Sequence, residues 1–432
     1  MPSLLGRLGI APGERGTVFA AFLLFFCVLC GYFMLRPVRE TIGTSLGERD
    51  VENLFVATWL GSLAVIPLYG WACARLRRAT VLALVHGVFG LSLFVLAAIL
   101  RADPNDQSAA RFFYVWISVF NLLIVSAFWT LMVDRMDDAS ARRLFGVIAA
   151  GGTTGGLAAP LITDLLIVPV GRTGILVISG CLFGVAILCQ AVLLRRLDAN
   201  SATAISSASD RPIGGNPFAG IRLVLASPYL LGICAFILLL AASTTFLYFE
   251  QLRYVAIAFP DEDTRTKVFA RIDLAVQALT LATQVFFTGT IARRLGVAVL
   301  LCSVPVAMVG GFLALAVIGN VWILTAVMIA RRAGEYALTR PGREILFTSV
   351  DTESKYKAKN LVDVVVYRGG DALAAQLRGG LRANEMGAAG IAVVGAGIAL
   401  AWAMVGYWLA RRHRRQAAVP LQASSKAGAV QW

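Results

Sequence analysis

Apolar runs of about twenty residues recur along the chain, and each is long enough to cross the hydrocarbon core of a bilayer as a helix. The first, "FAAFLLFFCVLCGYFML", begins at Phe19 and meets its first charge at Arg36. We place spans at 17–36, 54–74, 81–100, 112–133, 145–169, 174–194, 229–250, 268–291, 297–317, 321–347, 361–378 and 388–410. The balance of residues agrees. Of 432 residues, 58% are hydrophobic and 15% charged, against about a quarter charged in soluble domains. The expected fold is all-α, a polytopic membrane protein with twelve transmembrane helices.

Basic residues set the expected sidedness. With the N-terminus inside, Arg75, Arg77, Arg78, Arg142, Arg143, Arg195, Arg196, Arg293, Arg294, Lys355, Lys357, Lys359 and the "RRHRR" from Arg411 fall on the cytoplasmic side. Roughly 25 basic residues lie inside and about 11 outside, as the positive-inside rule requires. Both termini are then cytoplasmic, and an inner membrane is the expected location. Topology accounts for most of the +14 net charge, so no nucleic-acid partner is expected. The N-terminus lacks a signal-peptide layout, so the first span is expected to be retained.

The chain reads as a duplication. Under a shift of 216 residues, Arg77-Arg78 falls on Arg293-Arg294 and Tyr32-Phe33 on Tyr248-Phe249. Arg143 falls on Lys359, and "LAAPL" from Leu157 on "LAAQL" from Leu373. Between the copies, 195–228 is the longest polar break and reads as a cytoplasmic linker. The expected organisation is a six-helix half over 1–194, the linker, a second half over 229–415, and a tail over 416–432 without regular structure. Parallel halves related by an axis along the membrane normal are the major facilitator layout, with the site at the interface of halves. The signal of that fold after its second span survives in part: "GWACARLRR" and "GTIARRLG" keep the glycine and the basic residues without the acidic one.

Charges inside spans mark candidate sites, because intramembrane ionisable groups face protein or an aqueous cavity. "LRPVRE" supplies Arg36, Arg39 and Glu40, and "TRPGRE" supplies Arg340, Arg343 and Glu344. Arg331, Arg332 and Glu335 also interrupt the tenth span; Asp363, Arg368 and Asp371 lie in the eleventh; Arg271 and Asp273 open the eighth; Asp164 lies late in the fifth. Arg332, Tyr336, Arg340 and Arg343 recur at helical spacing, which predicts one face. A guanidinium stays charged and grips phosphate or carboxylate through two donors, so an anionic substrate is expected. The same arginines also fit interface anchors or salt-bridge partners of Glu40, Glu335 or Glu344. The glycines of "GGTTGGLAAP" from Gly151 predict close helix packing. Cys27 and Cys30 form a CxxC inside a span, where cysteine acts as a small hydrophobe. Neither a metal cluster nor a nucleophile–base set nor a nucleotide-hydrolysis loop is visible, so no catalytic residue, metal or cofactor is expected.

Several blocks resemble the non-mitochondrial ATP/ADP translocases. "YALTRPGREILFTSVDTESKYKAKNLVDVVVYRGGDALAAQL" (Tyr336 to Leu377) is similar to that family's tenth-to-eleventh-span region, and "YFMLRPVRE" to its first-span pattern. "SPYLLGICAF" through "FPDEDT" is similar in layout to its seventh span and following loop. The resemblance implies a nucleotide transporter, with Arg39 and Arg343 at the family's two basic nucleotide-binding positions, where lysine is usual. Its seventh-span acidic residue corresponds to Tyr248, with Glu250 two positions on. Its fourth-span acidic residue has no counterpart in "VWISVFNLL", which offers Ser118 and Asn121. The implied substrate is an organic anion, nucleotide-like, contacted by Arg39, Arg343, Arg36, Arg340, Tyr248 and Arg332. Glu40, Glu344, Glu250, Asp363, Arg368 and Asp371 are candidates for gating or coupling. A proton-coupled carrier of another solute, or a membrane sensor or scaffold on the same fold, are the alternatives. The expected partners are that small molecule and the lipid bilayer, with the chain acting as a monomer.

Overall fold

The computed structural model describes residues 11–136, 138–200, 224–349, 359 and 361–428. Lys355 and Lys357, and 201–223 of the expected linker, lie outside them, as does the side chain of Arg142. Among the described residues all regular structure is helical. We number the helices in chain order. α1 is Arg15–Leu46, α2 Glu48–Arg75, α3 Arg78–Ala102 and α4 Gln107–Arg135. The element Asp138–Asn200 is interrupted at Gly171, whose φ of 67° and ψ of -179° are not helical, and its arms are α5 (138–170) and α6 (172–200). α7 is Pro228–Ala258. α8 is Glu262–Thr283, continued by a π-helical turn, Gln284–Thr288, and by Gly289–Arg294. α9 is Gly296–Val317. α10 is Val321–Gly334, a π-helical turn Glu335–Thr339, and Arg340–Leu346. α11 opens with a π-helical segment, Leu361–Val366, and continues as Tyr367–Ala383. α12 is Ala388–Gly428.

Local chemistry explains the boundaries. A single residue, Gly47 at φ 87°, joins α1 to α2, a backbone setting that glycine takes without a Cβ penalty. Asp106 caps α4 by accepting from the Ser108 and Ala109 amides at 2.8 and 3.1 Å. Asn320 caps α10 through the Trp322 and Ile323 amides. Such caps satisfy amides that have no intrahelical acceptor. Pro37 lies inside α1 without ending it, so "LRPVRE" sits within a helix rather than at its terminus. α12 likewise passes Arg415 into the expected tail, through the good helix formers Gln416, Ala417 and Ala418.

Nine helical stretches among the described residues are long and apolar enough to cross a membrane. One of them, Arg143–Asp198, has 56 residues, which at 1.5 Å per residue is about 84 Å, or more than two bilayer cores of about 30 Å. Gly171 divides it. α10 and α11 carry too many charges to count by composition, yet they are helices. The elements are thus consistent with twelve crossings.

Residue contacts divide the chain into two compact units. Unit 1 comprises Met1–Gly47, Leu60–Gly214 and Phe259–Leu274; unit 2 comprises Glu48–Trp59, Gly215–Ala258 and Ala275–Trp432. Each therefore includes the opening turns of one helix from the other sequence half: α8 in unit 1, α2 in unit 2. Adding 216 to 48–59 gives 264–275, which overlaps 259–274, so the exchange follows the repeat.

The core of unit 1 sets packed aromatic rings among aliphatic side chains. Phe25 stacks on Phe128 with ring centroids 4.2 Å apart, and Phe183 meets Phe89 edge-on at 5.1 Å. Gly151 and Gly155 bring α5 directly onto α1, where a Cβ would meet the carbonyl oxygens of Phe22 and Phe26. In lipid, where apolar side chains gain little by leaving the solvent, such close backbone approach supplies much of helix association. In unit 2, Phe236 packs against Trp402 at 5.6 Å, and Gly232 lies under the Trp408 ring. Gly155→Val should therefore lower thermal stability in detergent by about 1–3 kcal/mol, the usual range for overpacking, whereas Gly146→Val, at a position with open space, should leave the melting curve nearly unchanged.

Candidate functional site

Unit 1 holds the first charged cluster in a spanning helix. Arg39 Nη1 donates to Ser118 Oγ of α4 at 3.2 Å, and Nη2 pairs with the adjacent Glu40 carboxylate. Ser118 Oγ in turn donates to the Tyr114 carbonyl at 2.7 Å, and the Arg39 guanidinium lies 5.4 Å from the Tyr114 ring centroid. Ser118, one of the two polar residues offered near the resembled family's fourth-span acidic position, is thus a direct contact of Arg39. One turn earlier, Arg36 lies 5.7 Å from the Phe33 ring centroid, and its Nε is 4.0 Å from Asp273 of α8. Arg271 Nε meets Asp164 of α5 at 3.0 Å, and Arg172 meets Glu262 at 2.9 Å. Asp164 of the fifth span and Arg271 of the eighth are therefore partners, while Asp273 of the eighth faces the first span.

Unit 2 gathers the second set. Arg343 Nη2 is 3.1 Å from Asp363 and 3.8 Å from Glu344, while Glu344 accepts Lys359 Nζ at 2.6 Å. Arg331 is buried, bonded to Glu335 at 2.7 Å and to Thr244 of α7 at 2.9 Å. Asp371 is buried, accepts Thr245 Oγ1 at 3.2 Å, and lies 3.9 Å from Arg368. Tyr248 is buried among aromatic rings, with centroids 5.5 Å from Phe55 and 5.9 Å from Phe249.

The single face predicted for Arg332, Tyr336, Arg340 and Arg343 is broken. The π-helical turn Glu335–Thr339 adds one residue, which rotates everything beyond it by about 100° relative to a continuous α-helix. Arg332 is buried and Arg340 exposed. The turn's loosened backbone is satisfied from α8: Gln284 Nε2 donates to the Tyr336 carbonyl at 3.2 Å and Thr288 Oγ1 to the Ala337 carbonyl at 2.9 Å.

The most deeply buried arginine among the described residues was not among the sequence candidates. Arg378 of α11 is 0% exposed. Its Nη atoms reach Glu48 at 3.1 and 3.4 Å and Glu250 at 3.1 Å, and Glu52 lies at 4.0 Å. Its guanidinium centre is 4.7 Å from the Phe249 ring centroid, and Arg253 clamps the other oxygen of Glu250 at 2.5 Å. A signal existed: Asp371, Arg378 and Arg382 follow at intervals of seven and four, one helical face. Two of its acidic partners, Glu48 and Glu52, were read as loop because α2 begins six residues earlier than its apolar run. Among the described residues no cluster of His, Cys, Asp or Glu suits a metal. Arg378→Ala would leave three carboxylates around an empty space. Breaking a buried pair from one side costs about 3–5 kcal/mol, so this variant should lose most of its folded fraction by fluorescence-detected size exclusion. Glu52→Gln, at the longest contact, should be much milder.

The sequence profile described as Major Facilitator Superfamily matches residues 21–338, more than half of the chain. No curated protein matches. Among solved structures, the nucleoside transporter NupG is similar at TM-score 0.65 and 13% identity, over 92% of this chain and 99% of that one. The POT family transporter PepTSo is similar at 0.67 and 13%, over 93% and 98%. A bacterial homolog of the human lysosomal transporter Spinster, inward-facing and unoccupied, is similar at 0.62 and 13%, over 94% and 98%. At such identities the likeness speaks for the fold of membrane transporters alone. With the profile match and the apolar helices, it makes this chain an integral membrane protein of the Major Facilitator Superfamily.

Proposed function

We propose that the protein is a secondary transporter of an organic anion, a nucleotide or related phosphorylated compound, working by alternating access between two six-helix halves. The observation that carries this reading is a pair of intramembrane arginines, Arg39 in unit 1 and Arg343 in unit 2, each beside carboxylates it can exchange for a ligand. An arginine held by a carboxylate is a stored anion site. A phosphate or carboxylate of the substrate can replace Glu40 or Asp363 through the same two-donor geometry. Tyr114 and Phe33, beside Arg39 and Arg36, add aromatic surface suited to a base or other planar group. Arg332, Arg340 and Tyr248 are secondary contacts in this proposal. Glu40, Glu344, Glu250, Asp363, Arg368 and Asp371 serve gating or coupling. The blocks that resemble ATP/ADP translocases support the nucleotide class and exchange; the arginines by themselves support only an anion. The protein would act as a monomer in a bacterial inner membrane with both termini cytoplasmic.

The test is a thermal-shift screen of purified protein against nucleotides, nucleosides and other organic phosphates and carboxylates. A ligand at a hundred times its Kd stabilises the folded state by about 2.7 kcal/mol. Phosphorylated compounds should raise the melting temperature and nucleosides should not. Arg39→Ala and Arg343→Ala should abolish both the shift and uptake into proteoliposomes. Because Arg39→Ala also strands buried Glu40, the Arg39→Ala/Glu40→Gln pair should recover stability without recovering uptake. Normal uptake in both arginine variants refutes the assignment, and silence across the whole anion panel points to a sensor or scaffold.

A further inference from the structure

Among the described residues unit 2 buries three carboxylates in spanning helices, Glu52, Glu250 and Asp371, and the surroundings of the last two differ. Glu250 of α7 is 3% exposed and held by two guanidiniums, Arg253 at 2.5 and 3.1 Å and Arg378 at 3.1 Å. Asp371 of α11 is 7% exposed, and its Oδ1 has a neutral donor, the Thr245 hydroxyl at 3.2 Å. Oδ2 has Arg368 Nη1 at 3.9 Å, one turn back on its own helix. From α10, Arg331 and Glu335 act on it electrostatically, but they are bonded to each other at 2.7 Å, and Arg331 also holds Thr244. α7 presents the hydroxyls of Thr244 and Thr245 here, and α11 adds the half-buried Tyr367 phenol beside Arg368. Desolvation thus acts on both acids, while close charge compensation acts on one.

We propose that Asp371 is a proton-binding site of the transport cycle. A proton from water adds to Oδ2, the carboxylate becomes a neutral acid, and Oδ1 keeps its hydrogen bond from Thr245. The set Arg331, Glu335, Arg368 and Asp371, balanced when both acids are ionised, then carries one net positive charge. An anion nearby is favoured in that state and, by reciprocity, favours the proton. Glu250 by contrast has two arginine partners. That a substrate anion moves with this proton rests on the transporter reading above; the proton site itself does not.

Infrared difference spectroscopy of the purified, lipid-reconstituted protein tests the site with no substrate present. Between alkaline and acidic buffer, the wild type should gain a carboxylic C=O band from a buried acid. Asp371→Asn, which resembles the neutral acid in shape, should lose that band and keep its thermal stability. Asp371→Glu should retain a band at a shifted frequency, which identifies the residue without relying on a loss. Glu250→Gln should keep the wild-type band. The site is refuted if the wild type shows no such band, if it persists unshifted in the Asp371 variants, or if Glu250→Gln removes it. A failed ligand screen would leave this result untouched, so the two outcomes are separable.

Discussion

An ionised side chain in a bilayer-spanning helix has little water to solvate it, so its charge persists only beside an opposite one or in a wet cavity. Much of this structure follows from that requirement. Arg378 needs Glu48 and Glu250 from other helices, and holding them fixes the start of α2 and the C-terminal part of α7 against α11 within unit 2. Asp164 and Arg271 do the equivalent for α5 and α8 within unit 1. The repeat maps α5 onto α11 and the start of α2 onto the start of α8. The same helix pair is therefore joined by charge twice, with the signs reversed: the base is on α11 in one copy, and the acid is on α5 in the other.

Two of the three π-helical segments among the described residues lie where the charges do. All three π-helical segments among the described residues belong to unit 2, in α8, α10 and α11. One directly follows Arg331 and Arg332, and another contains Asp363. A π turn leaves backbone carbonyls in poor intrahelical geometry, and in a membrane these need partners from protein. Gln284 and Thr288 supply them. Such turns recur at functional positions because they re-aim side chains without breaking the helix. Here one separates buried Arg332 from exposed Arg340 and so divides what would otherwise be one arginine face.

Much of the fold was legible because the bilayer imposes a length. Apolar runs place the helices, and the gap between the spans 145–169 and 174–194 holds Gly171, which parts α5 from α6. The glycines at 151 and 155 announce contact with a neighbour, and α1 is that neighbour. Hydropathy fails where polar residues continue a helix beyond its apolar run. It therefore ended α1 before Arg39, began α2 after Glu48, and let the tail lose order at Arg415. The charge cluster around Arg378 was hidden by that same error, because two of its carboxylates sit on turns that read as loop.

The sequence by itself determined the class of fold, the repeat and the identity of most intramembrane charges, because the length and periodicity of apolar segments are local properties. Tertiary structure alone decided which charge answers which. Arg39 meets Ser118 across 79 positions, Arg36 meets Asp273, and Arg378 meets Glu48 across 330. Electrostatic compensation depends on distance in space, and spacing along one helix fixes that distance only for neighbours a turn apart. The π turn of α10 shows the same limit at short range, since whether a helix adds one residue to a turn depends on what side chain stands opposite to take its carbonyls.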